Sequence, residues 1–196
     1  MKLFFSIVFL FFIYKTQAQF GNEELDTLHV FTSIEEALKN PDNVFALRLK
    51  GNLSELPKEV LQFTNLRSLN LKGNRIHVLP KEMTSLENLK KIDLSKNKLE
   101  VIPKEIFEIK SLKILVLSEN LIAELPPEIG KLKELEFLDI WSNLIESIPA
   151  EIGSLPNLKL IDLQVVEFTK QEQAEIKENF PTIEFKFSSP CACETH

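Results

Sequence analysis

Two aspartates, Asp139 and Asp162, come closest in this 196-residue chain to the type and spacing of a catalytic pair. They lie 23 residues apart, each within an alternating apolar pattern typical of a short strand. On neighbouring strands they would be separated by ~5 Å, which is the carboxylate spacing of retaining glycosidases and would also suit a metal ion. However, Asp93 occupies the same position in an earlier copy of the pattern, and an open sheet has no cleft that excludes water. We therefore rank a hydrolase below the binding functions.

The other groups that could support chemistry are sparse. The three histidines are scattered along the sequence at His29, His77 and His196. Cys191 and Cys193 lie in a terminal stretch that we expect to be disordered, where a local or intermolecular disulfide is favoured over a metal or redox site. With five glycines and no glycine-rich phosphate loop, the chain has no nucleotide motif. We expect no enzyme activity, no metal and no cofactor.

The charge balance excludes two further classes of partner. The formal net charge is −6 and the isoelectric point is near 5.3. Nucleic-acid binding depends on clustered Lys and Arg with a basic balance, and docking on an anionic membrane depends on the same charges. Neither is expected of this chain.

The first 18 residues are typical of a signal peptide. Lys2 precedes an apolar run from Leu3 to Tyr14, and small residues before Gln19 form a cleavage site after Ala18. The run is too short to span a bilayer, and no Cys follows the site to carry a lipid. We expect a secreted or periplasmic chain that begins at Gln19, without stable membrane insertion.

A 23-residue pattern recurs along the middle of the chain. Each copy has alternating apolar residues followed by Asn, as in Leu69-Asn-Leu-Lys-Gly-Asn74. The alternation predicts a short strand that is stable only when stacked on its neighbours. Asn can satisfy backbone groups where the strand ends, so the copies predict an asparagine ladder. The Asn positions are Asn52, Asn74, Asn97, Asn120 and Asn143, and a sixth copy has Val166 instead.

The second half of each copy is equally regular. Proline is followed two residues later by Glu, as in Pro103 and Glu105. Since Pro suits the first turn of a helix and Glu suits its positive end, each copy predicts a short helical segment opposite its strand.

Capping sequences predict a helix at each end of the array, where apolar core would otherwise be exposed. Ser33-Ile-Glu-Glu36 begins one helix with Leu38 on its apolar face, and Thr169-Lys-Gln-Glu172 begins the other. Alternation up to Phe187 predicts a terminal strand. The predicted organisation is a signal peptide at 1–18, an N-terminal cap at 19–43, repeats at 44–166, a C-terminal cap at 167–187 and a disordered tail at 188–196.

The repeated phrase resembles that of leucine-rich-repeat proteins. Leu-x-x-Leu-x-Leu-x-x-Asn followed by (Leu/Ile)-Pro-x-Glu-Ile is most similar to the short bacterial type, which is itself similar to plant disease-resistance and Ras-scaffold repeats. The resemblance covers roughly residues 44–166. It implies an α/β solenoid with a curved parallel sheet on the concave side and short helical segments on the convex side. It also implies binding of proteins, or sometimes of other ligands, mostly on the concave face.

Strand alternation identifies the side chains expected to face outward on the concave side. In the N-terminal strands they are basic, at Arg48, Lys50, Lys72 and Lys91. In the C-terminal strands they are mainly apolar. Because exposed apolar patches and Trp mark interaction sites, we predict a partner-binding site there. Its residues are Ile114, Val116, Phe137, Asp139, Trp141, Leu160 and Asp162.

Three functions follow from these observations. The favoured one is a secreted module that binds a protein or peptide on its concave face. The alternative is a self-associating structural or surface protein with an adhesive role, and the third is a hydrolase centred on the two aspartates. The apolar cluster also has a structural alternative, in which the C-terminal cap folds over it.

Overall fold

The computed structural model of the chain describes residues 23–188. The predicted signal peptide (1–18) lies outside these residues, as does the predicted tail beyond Ser188. Within the described part, eight strands form one parallel sheet in sequence order. They are β1 (Val30–Phe31), β2 (Ala46–Arg48), β3 (Ser68–Asn70), β4 (Lys91–Asp93), β5 (Ile114–Val116), β6 (Phe137–Asp139), β7 (Leu160–Leu163) and β8 (Glu184–Phe187).

Helical segments follow the strands, as the Pro-x-Glu pattern predicts. Three α-helices are α1 (Glu23–Asp26), α2 (Ile34–Ala37) and α3 (Lys170–Asn179). The other segments are single turns of 3-10 helix at Pro41–Asn43, Lys58–Gln62, Lys81–Ser85, Lys104–Glu108, Pro127–Lys131 and Ala150–Ser154. The predicted solenoid, with a parallel sheet on one side and short helical segments on the other, is confirmed.

Equivalent repeat positions pair directly across the sheet. Leu69 is in register with Ile92, and Ile92 with Leu115. These central residues are fully buried between the sheet and the 3-10 helices. Because each strand has only two to four residues, its stability comes from the neighbouring strands and repeats.

The asparagine ladder holds successive repeats together. The amide Nδ2 of Asn120 donates to the carbonyls of Leu94 (3.0 Å) and Leu117 (2.7 Å), one in the preceding repeat and one in its own. Its Oδ1 accepts from the backbone N–H groups of Asn97 (3.0 Å) and Leu99 (2.9 Å). One buried side chain thus satisfies four backbone groups of two repeats, and these groups lie where water cannot reach them.

The ladder runs over Asn74, Asn97, Asn120 and Asn143, but the expectation for Asn52 is wrong. Asn52 is exposed and has a backbone φ of 60°. Its repeat is one residue shorter, and its neighbour on the N-terminal side is the two-residue strand β1 rather than a complete repeat. At the other end, Val166 is buried in the core, so packing replaces hydrogen bonding there.

Both ends of the solenoid are capped as the capping sequences predict. The Ser33 hydroxyl accepts from the Glu36 N–H at 3.4 Å, and Thr169 and Glu172 form a reciprocal capping box at the start of α3. β8 closes the sheet beside β7. One detail differs from the prediction: Leu38 is exposed and Ala37 is buried instead, because α2 ends at Ala37 and Leu38 only caps it.

Substitution of Asn120 by Ala is expected to lower the free energy of unfolding by about 2–4 kcal/mol, because it leaves several buried backbone groups without partners. The matched control is Asn88→Ala, since the exposed Asn88 donates a single hydrogen bond, to the carbonyl of Thr64. We expect the control to cost less than about 1 kcal/mol. Urea denaturation measures both, and equal losses would contradict the structural role of the ladder.

Candidate functional site: the concave face

The concave face carries a small apolar cluster of its own. Ile114 and Val116 on β5, Phe137 on β6 and Leu160 on β7 form this cluster, which we call the concave patch. It is separate from the main core, which lies on the opposite side of the sheet. The register pairs Ile114 with Phe137 and Phe137 with Leu160, so the predicted column of apolar side chains is confirmed.

The expectation that the concave patch is exposed is wrong. Phe137 retains 7% of its accessible surface and Leu160 none. Leu25, from α1 near the start of the described chain, is 5% exposed and belongs to the same cluster, and the half-buried Leu28 packs against it.

The covering segment differs from the one considered in the structural alternative. In that alternative the C-terminal cap covered the patch, but Ile183 and Phe185 of that cap pack into the main core instead. Residues 25–28 were missed because they precede the repeats and belong to no periodic pattern. The signal that could have revealed them is the pair Leu25 and Leu28 in an otherwise acidic stretch.

Asp139 lies beside the concave patch and is itself buried, with 7% of its surface exposed. Its Oδ1 accepts from the Trp141 N–H at 3.1 Å, and its Oδ2 accepts from the Ser118 hydroxyl at 3.1 Å. Burial raises the pKa of Asp139 to about 7, assisted by the carboxylates of Asp162 and Asp93, while the two hydrogen bonds act in the opposite direction.

The aspartate column has a shared structural role that accounts for its recurrence. Asp93, Asp139 and Asp162 each accept a hydrogen bond from the backbone N–H two residues further on. Asn70 makes the same contact with Lys72 on β3. Short polar side chains favour this local turn, so their recurrence needs no catalytic explanation.

Asp162 and Trp141 border the concave patch and are half-buried. The pKa of Asp162 is raised, because the effect of burial exceeds the opposing effect of the nearby Lys186. Among residues 23–188, no group of three or more His, Cys, Asp or Glu side chains is placed to hold a metal ion. Cys191, Cys193 and His196 lie outside the described residues.

The N-terminal half of the concave face is polar and accessible. Arg48, Lys50 and Lys72 are exposed, and Lys91 is half-buried. In the described part of the chain, no helix is long and apolar enough to cross a membrane.

Comparison with known families is consistent with this geometry. A family model described as "Leucine rich repeat" matches residues 64–122, and a second, "Leucine Rich repeats (2 copies)", matches residues 110–152. The chain is a leucine-rich-repeat protein. Members of this family typically act as protein-interaction modules rather than as enzymes.

Two solved structures of bacterial repeat proteins are similar to this one. A leucine-rich-repeat protein of Leptospira interrogans superposes with a TM-score of 0.66 at 34% identity, over 82% of this chain and 47% of its own. Internalin C2 of Listeria monocytogenes superposes with a TM-score of 0.61 at 22% identity, over 77% of this chain and 64% of its own. The present chain therefore spans about half the length of the Leptospira protein and somewhat less than two thirds of the length of internalin C2. A comparison with curated protein sequences finds no significant match.

Substitution of Asp139 by Asn is expected to remove one source of pH-dependent stability. The pKa of Asp139 is raised in the folded chain, because burial favours the neutral carboxyl. The stability that this neutral form contributes is fully present below about pH 4 and is lost as the pH rises to about 7. At pH 8 the parent carries a buried charge that Asn lacks. We expect the variant to be more stable by on the order of 3 kcal/mol at pH 8 and equally stable at pH 4.

Urea denaturation of both proteins at pH 4 and pH 8 measures this difference. The difference in stability between the two proteins is compared rather than the pH curve of either, because carboxylates that do not interact with Asp139 contribute equally to both. A difference that stays constant between the two pH values would show that Asp139 titrates normally.

Proposed function

We propose that this chain is an exported protein-binding module whose partner contacts the concave face at the concave patch and at Trp141. The observation that carries the proposal is a contiguous apolar cluster on the outer side of the sheet, where it does not contribute to the main core. The cluster of Ile114, Val116, Phe137 and Leu160 is therefore additional to the inner side chains that form the main core. Exposed apolar side chains grouped in this way mark interaction surfaces, and in this chain Leu25 and Leu28 pack on them.

The chemistry around the concave patch suits a polypeptide partner. Trp141 combines a large apolar surface with an indole N–H donor, which is the combination enriched at binding hot spots. Asp162 adds a half-buried carboxylate beside it, and Arg48 and Lys72 supply exposed cations at the other end of the face. A partner with an apolar centre and charges on both sides would match this distribution.

Site-specific photo-cross-linking tests the location of the partner. A photoreactive residue at Gln164, half-buried on the same face beyond Asp162, is expected to cross-link a partner from native envelope and culture extracts. The same residue at Val101, which is 71% exposed and lies outside the strands, is the matched control and should cross-link none. Substitution of Trp141 by Ala should abolish the product at Gln164.

Three outcomes would count against the proposed function. Equal products at Gln164 and Val101 would indicate non-specific contact. A product at Gln164 that survives loss of the Trp141 ring would show that the partner does not depend on Trp141, and a product containing only a second copy of the chain would support self-association instead.

Export is supported by the charged start, the apolar run and the small residues before Gln19. Mass spectrometry of the native protein checks it. We expect a chain that begins at Gln19, recovered from the culture medium or the periplasm. Recovery from the cytoplasm with residues 1–18 still attached would refute export.

A further inference from the structure

The concave patch is already occupied in the free chain by a short segment with two leucines. Leu25 is buried in the patch and Leu28 packs on it, whereas Asp26 and Thr27 between them are exposed. Leu25 lies in α1 and Leu28 lies two residues beyond its end, and both side chains pack on the patch. The segment therefore contacts the patch as a small amphipathic ligand would.

The segment is joined to the rest of the fold by few regular elements. α1 has four residues, and β1, which follows it, has two. A helix of one turn is unstable by itself, and segments with few buried apolar contacts open at low free-energy cost. The contacts of Leu25 and Leu28 with the patch therefore contribute to holding the segment in place.

The main core and the strand pairing of the repeats do not include residues 25–28. Every member of the concave patch lies outside the main core, and the asparagine ladder and the strand pairing from β2 to β8 involve no residue of 25–28. Release of the segment would leave the solenoid folded and would expose a contiguous apolar surface.

We propose that the concave patch is a binding site for a polypeptide segment carrying two leucines three residues apart, and that residues 25–28 of this chain occupy it until such a partner displaces them. The inference rests on the proposed function. The partner carries the two leucines, and residues 25–28 compete with it for the patch. An intramolecular competitor acts at an effective concentration in the millimolar range, so only a partner that binds more strongly than a free copy of the segment opens the site.

The test uses the full chain, its Leu25→Ser, Leu28→Ser variant and a synthetic peptide with the sequence of residues 23–31. The methyl resonances of Ile114, Val116 and Leu160 report on the patch, while those of Leu117 and Leu138 in the main core report on folding. We expect the peptide to shift the patch methyls of the variant saturably. The parent chain should need at least tenfold more peptide for the same shift, because its own segment competes.

Two controls keep the result interpretable. A peptide with Ser in place of both leucines should shift no patch methyl, and a Val101→Ser variant, altered at an exposed apolar residue, should respond as the parent does. If the double variant loses its main-core resonances, Leu28→Ser alone is used, since Leu28 is only half-buried.

Absence of a patch shift in the variant at millimolar peptide would overturn the proposal, as would equal shifts in the parent and the variant. Failure here is distinguishable from failure of the proposed function. If the variant still cross-links a partner through Gln164 but ignores the peptide, the face binds partners of another chemistry, and the proposed function stands without this inference.

Discussion

The hydrogen bonding of four buried asparagines is the constraint on which the rest of the structure depends. A strand of three residues cannot hold its own register, but each ladder amide bonds backbone groups of two successive repeats at once. A shift of one residue between neighbouring strands would leave those groups unsatisfied in an apolar interior, at a cost that no surface contact offsets. The ladder therefore aligns every equivalent position across the sheet.

That alignment separates the two faces of the sheet chemically. Side chains at the inner positions form one main core that extends from Ala37 to Phe185. Side chains at the outer positions form columns in which the residue type differs from repeat to repeat. In the outer columns, the aspartates accept hydrogen bonds from the backbone of their own repeats. The apolar side chains of the concave patch make no such hydrogen bonds. An apolar cluster on the outer side of the sheet, separate from the main core, is the physical basis for the proposal that the concave face binds a partner.

The repeats and caps could be predicted from the sequence because their interactions are local or strictly periodic. The alternation at Leu69, the Asn at position 120 and the Thr169 capping box each determine nearby structure, and each is observed as predicted. The burial of Phe137 could not be predicted from the sequence, because it involves a segment more than 100 residues away that follows no periodic pattern. Asn52 matched the motif, but its place at the end of the array removed the neighbour that a ladder position requires.

Leu25 and Leu28 link the fold to the proposed function, since their contacts with the concave patch are the basis for the partner chemistry that we propose. The most direct measurement is the affinity of the partner captured at Gln164 for the parent chain and for the Leu25→Ser, Leu28→Ser variant, determined side by side. Competition for one site requires at least tenfold tighter binding by the variant, in which the competitor is weakened. Equal affinities would show that the partner does not use the concave patch, and weaker binding by the variant would show that residues 25–28 belong to the partner's site rather than competing for it.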